Sequence, residues 1–537
     1  MEAIQSTTQI APTEINSEPA PNTKPTATRK HIRGSSLLLV GRFLSLGLNL
    51  VVQILTVRYL TKSDYGAFAY AISVASLGSS IAVFGLDKTV TRFLPIYQER
   101  KEYNKLYGAI IMMLGTIAII GFVMVGLIFA LQSFIAGAYI KDQLSLALVL
   151  ILIVFAPIDA LDSLYEGMFA VFASPKAIFF RRHILGPGLK LVAVVAVMLA
   201  RSNVYWMAVG YVIAGLIGFG SYVLMLSGML RRQGILQYFN LRAIDMPVRE
   251  VFSFSIPLLS NDLVYALRSY LPVMMIEYFN SSVGVASFRA VLPVARLNML
   301  VYQSFTFLYM PLASRMFARN ERKGINELYW QSAVWIAIIS FPVFAVSCSL
   351  AEPLTVILFG KQYADSGIIL ALLSLGHYVN AAFGFNTFTL RVYGRVRYIV
   401  AQDFLSVVVA LVSSFLLIPK YGALGAAIST SLTLIAQNFF CQIGLRFGTD
   451  VEPFDMAYFR TYITIFLSGL GLFLVQWFFD PSVYISFVLA VFVSGLVLVL
   501  NRNELNVEQI FPELLRIPFM KQLLSSSPRS SSAQKIA

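Results

Sequence analysis

From residue 36 onward the chain is a succession of apolar runs, each near the roughly 20 residues a helix needs to cross a bilayer core about 30 Å thick. Fourteen can be marked, at residues 36–57, 66–86, 107–131, 143–172, 184–200, 204–229, 251–276, 284–314, 328–350, 367–390, 399–418, 422–446, 461–479 and 482–500. Inside hydrocarbon only helices and closed barrels satisfy the backbone, and barrel strands alternate apolar and polar residues over about ten positions. These runs are longer and uniformly apolar, so they predict helices. With 58% hydrophobic and 13% charged residues, the composition excludes an ordinary soluble protein.

The 41 lysines and arginines fix the expected orientation. Thirty fall in alternate loops and the two tails, and six fall in the other loops: Arg58, Lys62, Lys141, Arg201, Lys361 and Lys420. Cytoplasmic loops retain Lys and Arg, so the cation-rich loops and both tails are expected inside the cell at the plasma membrane. The net charge of +14 is spread over every second loop and not massed on one face, which points to topology and anionic lipid and away from nucleic acid. Cys348 and Cys441 both lie in apolar runs and read as packing residues. Residues 1–34 are polar, with no apolar core before Ser35, and read as a disordered cytoplasmic tail without a cleavable signal; residues 501–537 read as a second cytoplasmic tail.

RYLTKSDYGAFAYA from Arg58 and EYFNSSVGVASFRA from Glu277 follow the first and seventh runs, 219 residues apart. Arg201 and Lys420, in short loops on the same expected side, repeat that offset. The chain therefore reads as two related six-helix lobes, 35–230 and 251–447, joined by a cytoplasmic segment 231–250, with two further helices in 461–500. Parallel repeats of this kind are one layout of secondary transporters. No G-x-x-x-x-G-K-[ST] loop and no H-E-x-x-H occurs, so neither an ATP-driven pump nor a zinc hydrolase is indicated, and no cofactor or metal is implied. His377 reads as a hydrogen-bonded packing residue. AEPLTVILFGKQYADS, from Ala351, reads as a short helix at the outer interface.

Five cations remain inside apolar runs: Arg42, Lys190, Arg268, Arg289 and Arg296. An ion near the bilayer centre costs about 3 kcal/mol on insertion scales, so each needs a partner, an aqueous cavity or a route to the surface. Lys190 and Arg42 are shallow enough to snorkel, Arg42 about 9 Å in at 1.5 Å per residue. Arg268 lies about 25 Å along the seventh run, between Pro257 and Pro272, which should interrupt that helix. Arg289 and Arg296, seven residues apart, share a face of the eighth run. Asp262, at nearly the depth of Arg296, is a candidate partner that would make that pair purely structural. The alternative is a cationic cavity for an anionic substrate, since the guanidinium fork matches phosphate oxygens. Asp159, Asp162 and Glu166 on the fourth run could line a cavity mouth, pair with Lys190, or bind a coupling H+ or Na+.

RYLTKSDYGAFAYA, GLDKTVTRFLP from Gly85 and LLIPKYGALGAA from Leu416 resemble the polysaccharide transporters of the multidrug, oligosaccharidyl-lipid and polysaccharide (MOP) exporter superfamily, often called Wzx-type or O-antigen flippases. The resemblance covers residues 35–446 and implies two six-helix lobes in a V around a central cavity. It implies alternating access that carries an undecaprenyl diphosphate-linked glycan across the membrane, with membrane lipids as surroundings and a glycan polymerase or glycosyltransferases as possible partners. On that reading Arg42, Arg268, Arg289 and Arg296 form the substrate site, while Asp159, Asp162, Glu166 and Asp262 serve ion coupling or charge pairing. A related antiporter of small cationic compounds is the other reading, and it calls for a cavity dominated by Asp159, Asp162 and Asp262. A non-transporting scaffold for glycan enzymes is a third.

Overall fold

A computed structural model describes residues 25–138, 140, 142–172, 179–232, 234–479 and 481–505. Lys141, residues 1–24 of the first expected tail and residues 506–537 of the second lie outside these. In chain order the helices are α1 (Pro25–Tyr59), α2 (Lys62–Val83), α3 (Leu86–Glu99), α4 (Tyr103–Ala130), α5 (Gln132–Ala138), α6 (Gln143–Leu152) and α7 (Phe155–Phe172). A π-helical segment at Phe179–Leu185 leads into α8 (Gly186–Leu199) and α9 (Val204–Arg232). Then come α10 (Val248–Phe279), α11 (Ser282–Arg296), α12 (Leu300–Ala318), α13 (Arg322–Ser349), α14 (Ala351–Phe359), α15 (Ser366–Ala382) and α16 (Asn386–Val392). The last four are α17 (Val396–Gly448), α18 (Phe459–Phe479), α19 (Val483–Leu500) and the single turn α20 (Arg502–Leu505). Among the described residues there is no strand, so the chain is an all-α, multi-pass membrane protein. Residues 25–34, expected in a disordered tail, are the start of α1, with Pro25 at a position where a missing N–H costs nothing.

Twelve helical stretches among the described residues are long and apolar enough to cross a membrane. The fourteen apolar runs exceed that number at two places, each with a physical cause. α10 carries Arg249, Glu250, Asp262, Arg268 and Glu277, which offset its apolar residues. α17 counts once although its 53 residues would extend about 80 Å as a straight helix. Gly422, with φ 54° and ψ −127°, breaks it, and cross-contacts show the two arms folded back on each other. Ser413 Oγ lies 2.7 Å from Ser429 Oγ, Cys441 Sγ donates to Gln402 Oε1 at 2.8 Å, and Arg395 Nε donates to Gly448 O at 2.7 Å. Pairs converging on one turn define an antiparallel hairpin. Pro257 and Pro272 do not interrupt α10 as expected, because one lost hydrogen bond is tolerated where neighbouring helices surround the backbone.

α2 is the central element of the first half, packed on α6 and α7, and its other side meets α10 and α11. Thr61 caps α2 by accepting the Asp64 N–H at 3.1 Å, and Ser281 caps α11 by accepting the Gly284 N–H at 3.4 Å. These two capped starts, one in each repeat of the sequence, press together: a Cβ on Gly66 would overlap the Ser282 carbonyl. The segment between the halves is also anchored, with Tyr238 stacked on Tyr103 at 4.3 Å and Phe239 edge-on to Tyr107. α14 forms as expected from Ala351.

The halves are bridged at both ends. At the end holding Thr61 and Ser281, Arg58 Nε donates to Leu358 O at 2.9 Å and its guanidinium also reaches Ile357 O, while Lys62 Nζ sits 2.6 Å from Asp365. These cations occupy the C-terminal end of α14, where free carbonyls favour positive charge. At the opposite end Lys88 pairs with Asp262, and the Tyr97 hydroxyl donates to Glu250 Oε2 at 2.8 Å.

Candidate functional site

The intramembrane charges converge on three cavities. The first, about 290 Å³, is lined by Arg268, Arg296 and His377 together with amides and hydroxyls of Gln303, Asn380 and Thr433, and among the described residues by no carboxylate. Arg268 Nη1 donates to Gln437 Oε1 at 2.6 Å, and Arg42, reaching across from α1, donates to Gln303 Oε1 at 2.5 Å. Among the described residues Arg296 has no carboxylate within ion-pair distance, since Asp262, its candidate partner, is taken by Lys88. The Asp262–Arg296 pair, one of the two readings of these charges, is therefore not formed. His377, expected to be a hydrogen-bonded packing residue, is 9% exposed, and its Nε2 has no hydrogen-bond partner.

The second cavity, about 260 Å³, lies between the first half and α11 and is lined by Arg289, Lys190, Asn49, Gln53, Tyr65 and Tyr211, again with no carboxylate among the lining groups. Arg289 and Arg296 thus face different spaces, despite a seven-residue spacing that keeps them within about 20° on a helical wheel. The reason is the inclination of the side-chain rows. Phe288, Leu292 and Arg296 form one row of fours facing the first cavity, whereas Arg289, Pro293 and Leu297 form the adjacent row facing the second. α11 is a wall with one arginine on each side. It ends at Arg296, where a 3₁₀ turn at Leu297–Met299 separates it from α12, so that arginine lies at a helix C-terminus on the wall of the first cavity.

The third cavity, about 240 Å³, adjoins the second through shared Asn49 and Lys190 and holds Asp159, Asp162 and Glu166. Lys190 therefore lines two cavities and is not simply a snorkelling side chain. The carboxylates are accounted for by neighbours other than Lys190: Ser79 Oγ donates to Asp159 Oδ2 at 2.7 Å, Arg181 Nη2 lies 3.1 Å from Asp162, and Arg182 Nη1 lies 3.4 Å from Glu166. The apolar runs end at residue 172 and resume at residue 184, which places both arginines in a loop by sequence. Arg181 is instead 4% exposed, with its guanidinium 3.9 Å from the Tyr222 ring centroid. Gly218 makes the seat possible, since a Cβ there would come 2.6 Å from Arg181 Nη2. The available signal was the run of three acids on the preceding helix, which called for cations nearby. Among the described residues no group of three or more His, Cys, Asp or Glu could hold a metal, and both cysteines are free.

This arrangement of broken helices around cationic cavities can be compared with known proteins. The profile of the polysaccharide biosynthesis protein family matches residues 31–317, more than half of the chain. The chain belongs to that family. Relatives of this polysaccharide biosynthesis protein include an uncharacterized membrane protein of Methanocaldococcus jannaschii, 22% identical over 75% of this chain and 81% of its own. The capsular polysaccharide biosynthesis protein CapF of Staphylococcus aureus is 27% identical over 36% of this chain and 50% of its own. The probable low-salt glycan biosynthesis flippase Agl15 of Haloferax volcanii is 21% identical over 34% and 39%. Among solved structures, the lipid II flippase MurJ in an inward closed conformation superposes with a TM-score of 0.66 at 14% identity, covering 89% of this chain and 99% of that one. An inward-facing MATE family transporter of the MOP superfamily gives 0.60 at 13% identity, covering 75% and 93%. The fold is that of this superfamily.

Proposed function

We propose that this polysaccharide biosynthesis protein is a flippase that moves a lipid-linked glycan across the plasma membrane by alternating access, its two lobes being residues 35–230 and 251–447 and its crossings fourteen. One observation carries the substrate reading: Arg268 and Arg296 share a polar cavity with an unpartnered His377 nitrogen and no lining carboxylate. Arg296 is exposed to this space and Arg268 partly so, and no carboxylate pairs with either among the described residues, so an anion can complete them; a diphosphate presents the oxygens that guanidinium groups bind in pairs. Amide and hydroxyl groups around them, including Gln303, Asn380 and Thr433, suit sugar hydroxyls. Arg289 with Lys190 offers a second cationic surface on the other side of α11, and Arg42 joins the first cavity to α1. The names of the capsular, low-salt glycan and lipid II relatives support a glycan cargo.

An antiporter of small cations would need an acid-dominated cavity. Here Asp162, Glu166 and Asp262 are each matched by a cation, which supports charge pairing for these three, and Asp159 accepts a hydrogen bond from a serine; together this argues against that reading. Glycan export in a strain lacking the chromosomal copy tests the proposal. Arg268→Gln together with Arg296→Gln is expected to reduce export at least tenfold at normal protein level, with lipid-linked glycan held on the cytoplasmic face; undiminished export would refute the site.

A further inference from the structure

Asp142, Ser145, Glu277 and Ser282 meet where the start of α6 touches the corner between α10 and α11, so first and second halves are joined there. Asp142 is the N-cap of α6, its Oδ1 accepting the Leu144 N–H at 3.2 Å and its Oδ2 the Ser145 N–H at 3.1 Å. Ser145 Oγ lies 2.8 Å from Asp142 Oδ2 and 2.8 Å from Glu277 Oε1. Ser282 Oγ lies 3.1 Å and 2.9 Å from the same two oxygens, and the hydroxyls are 3.2 Å apart.

These are five oxygen–oxygen contacts at or near hydrogen-bond length, and the two serines supply only two protons. Ionised carboxylates supply none. Contacts without a proton set lone pairs against each other in a site where Ser145 is 0%, Ser282 6% and Glu277 9% exposed. A third proton on Glu277 relieves this: Glu277 donates to a serine and the serines donate on towards Asp142. Asp142 is the member suited to keep its charge, because two backbone N–H groups and the positive end of α6 already stabilise it. Glu277 Oε2 is buried without a hydrogen-bond partner, which costs a neutral carboxyl less than a carboxylate. The titratable groups facing Glu277 are Asp142 from α6 and Tyr70 from α2, and among the described residues no Lys or Arg pairs with it. Lys141, next to Asp142 in the chain, lies outside the described residues.

We propose that Glu277 is a proton-binding site that fastens the two halves at this end, making closure of the end proton-linked. With the proton bound, the hydroxyls bridge two halves that carry one negative charge between them. Release of the proton to the adjoining aqueous compartment leaves Glu277 and Asp142 both charged, and the halves part. Closure is therefore favoured at low pH and lost as pH rises. This rests on the alternating-access reading and makes H+ the ligand that controls closure of this end. The end concerned carries Arg58, Lys62 and Lys361 and few other cations, which assigns it to the outside. Proton uptake there after cargo release returns the carrier towards loading.

Spin labels at Arg201→Cys and Lys420→Cys, two exposed turns of different halves, report separation at this end in full-length protein in nanodiscs, with Cys348 and Cys441 changed to Ala. The closed-to-open ratio is expected to fall about tenfold per pH unit above the transition, the slope of one proton. Glu277→Gln, a permanent amide donor, is expected to remain closed across pH 5 to 9, and Glu277→Asp to keep a pH response. A wild-type ratio that does not change with pH, or one set by Na+ or Mg²⁺ at constant pH, would overturn the proposal. No substrate is present, so failure leaves the flippase reading intact, and failure of the Arg268 and Arg296 export test leaves the proton site intact.

Discussion

Arg181 shows how much one residue's environment decides. As part of a cation-rich segment it counted towards topology; in the fold it is a buried partner of Asp162. Removing one member of such a pair leaves the other charge uncompensated, a loss of about 3 kcal/mol or more. Arg181→Ala is thus expected to lower the unfolding midpoint in detergent clearly, and Asp162→Asn added to it should recover part of the loss. Equal midpoints for wild type and Arg181→Ala would show that the pair carries no stability. Arg296 is the converse case, a cation whose candidate partner Asp262 is committed to Lys88.

Helices in this protein are shaped by where they break. α11 stops at Arg296, α2 gives way to α3 at Phe84 and Gly85, both in left-handed conformation, and α17 doubles back at Gly422. A charged residue at such a break gains free backbone groups as neighbours, which a residue in mid-helix lacks. The hairpin can be tested directly. Ser413→Cys with Ser429→Cys, whose parent hydroxyls are 2.7 Å apart, is expected to form a disulfide that holds together fragments cleaved at an inserted protease site near residue 421. Fragments that separate without reductant would rule out the antiparallel arms.

At the scale of the whole molecule, contacts at both ends hold the halves around internal cavities, and movement requires one set to yield. Cation placement predicts which end faces outward. A cysteine at Lys420 is expected to react with a membrane-impermeant maleimide added to intact cells, and one at exposed Lys323 only after permeabilisation. The reverse pattern would invert the topology without altering the fold.

The all-helical membrane architecture was legible in the chain because backbone satisfaction in hydrocarbon allows few solutions, and run length and composition choose among them. The arginines that line cavities were legible for a related reason: an ion in an apolar run is expensive enough to imply a purpose. Partnership was not. Asp262 with Lys88, Asp162 with Arg181, Glu166 with Arg182, Asp159 with Ser79, and Glu277 with Ser145 join residues 16 to 174 positions apart, and such distances are set by how helices pack. Sequence alone determined that this protein is helical, spans the membrane and carries positive charge within its apolar runs. Only the tertiary structure decided which charges are neutralised and which remain open to a ligand, because a carboxylate a few ångströms away outweighs any property of the residue itself.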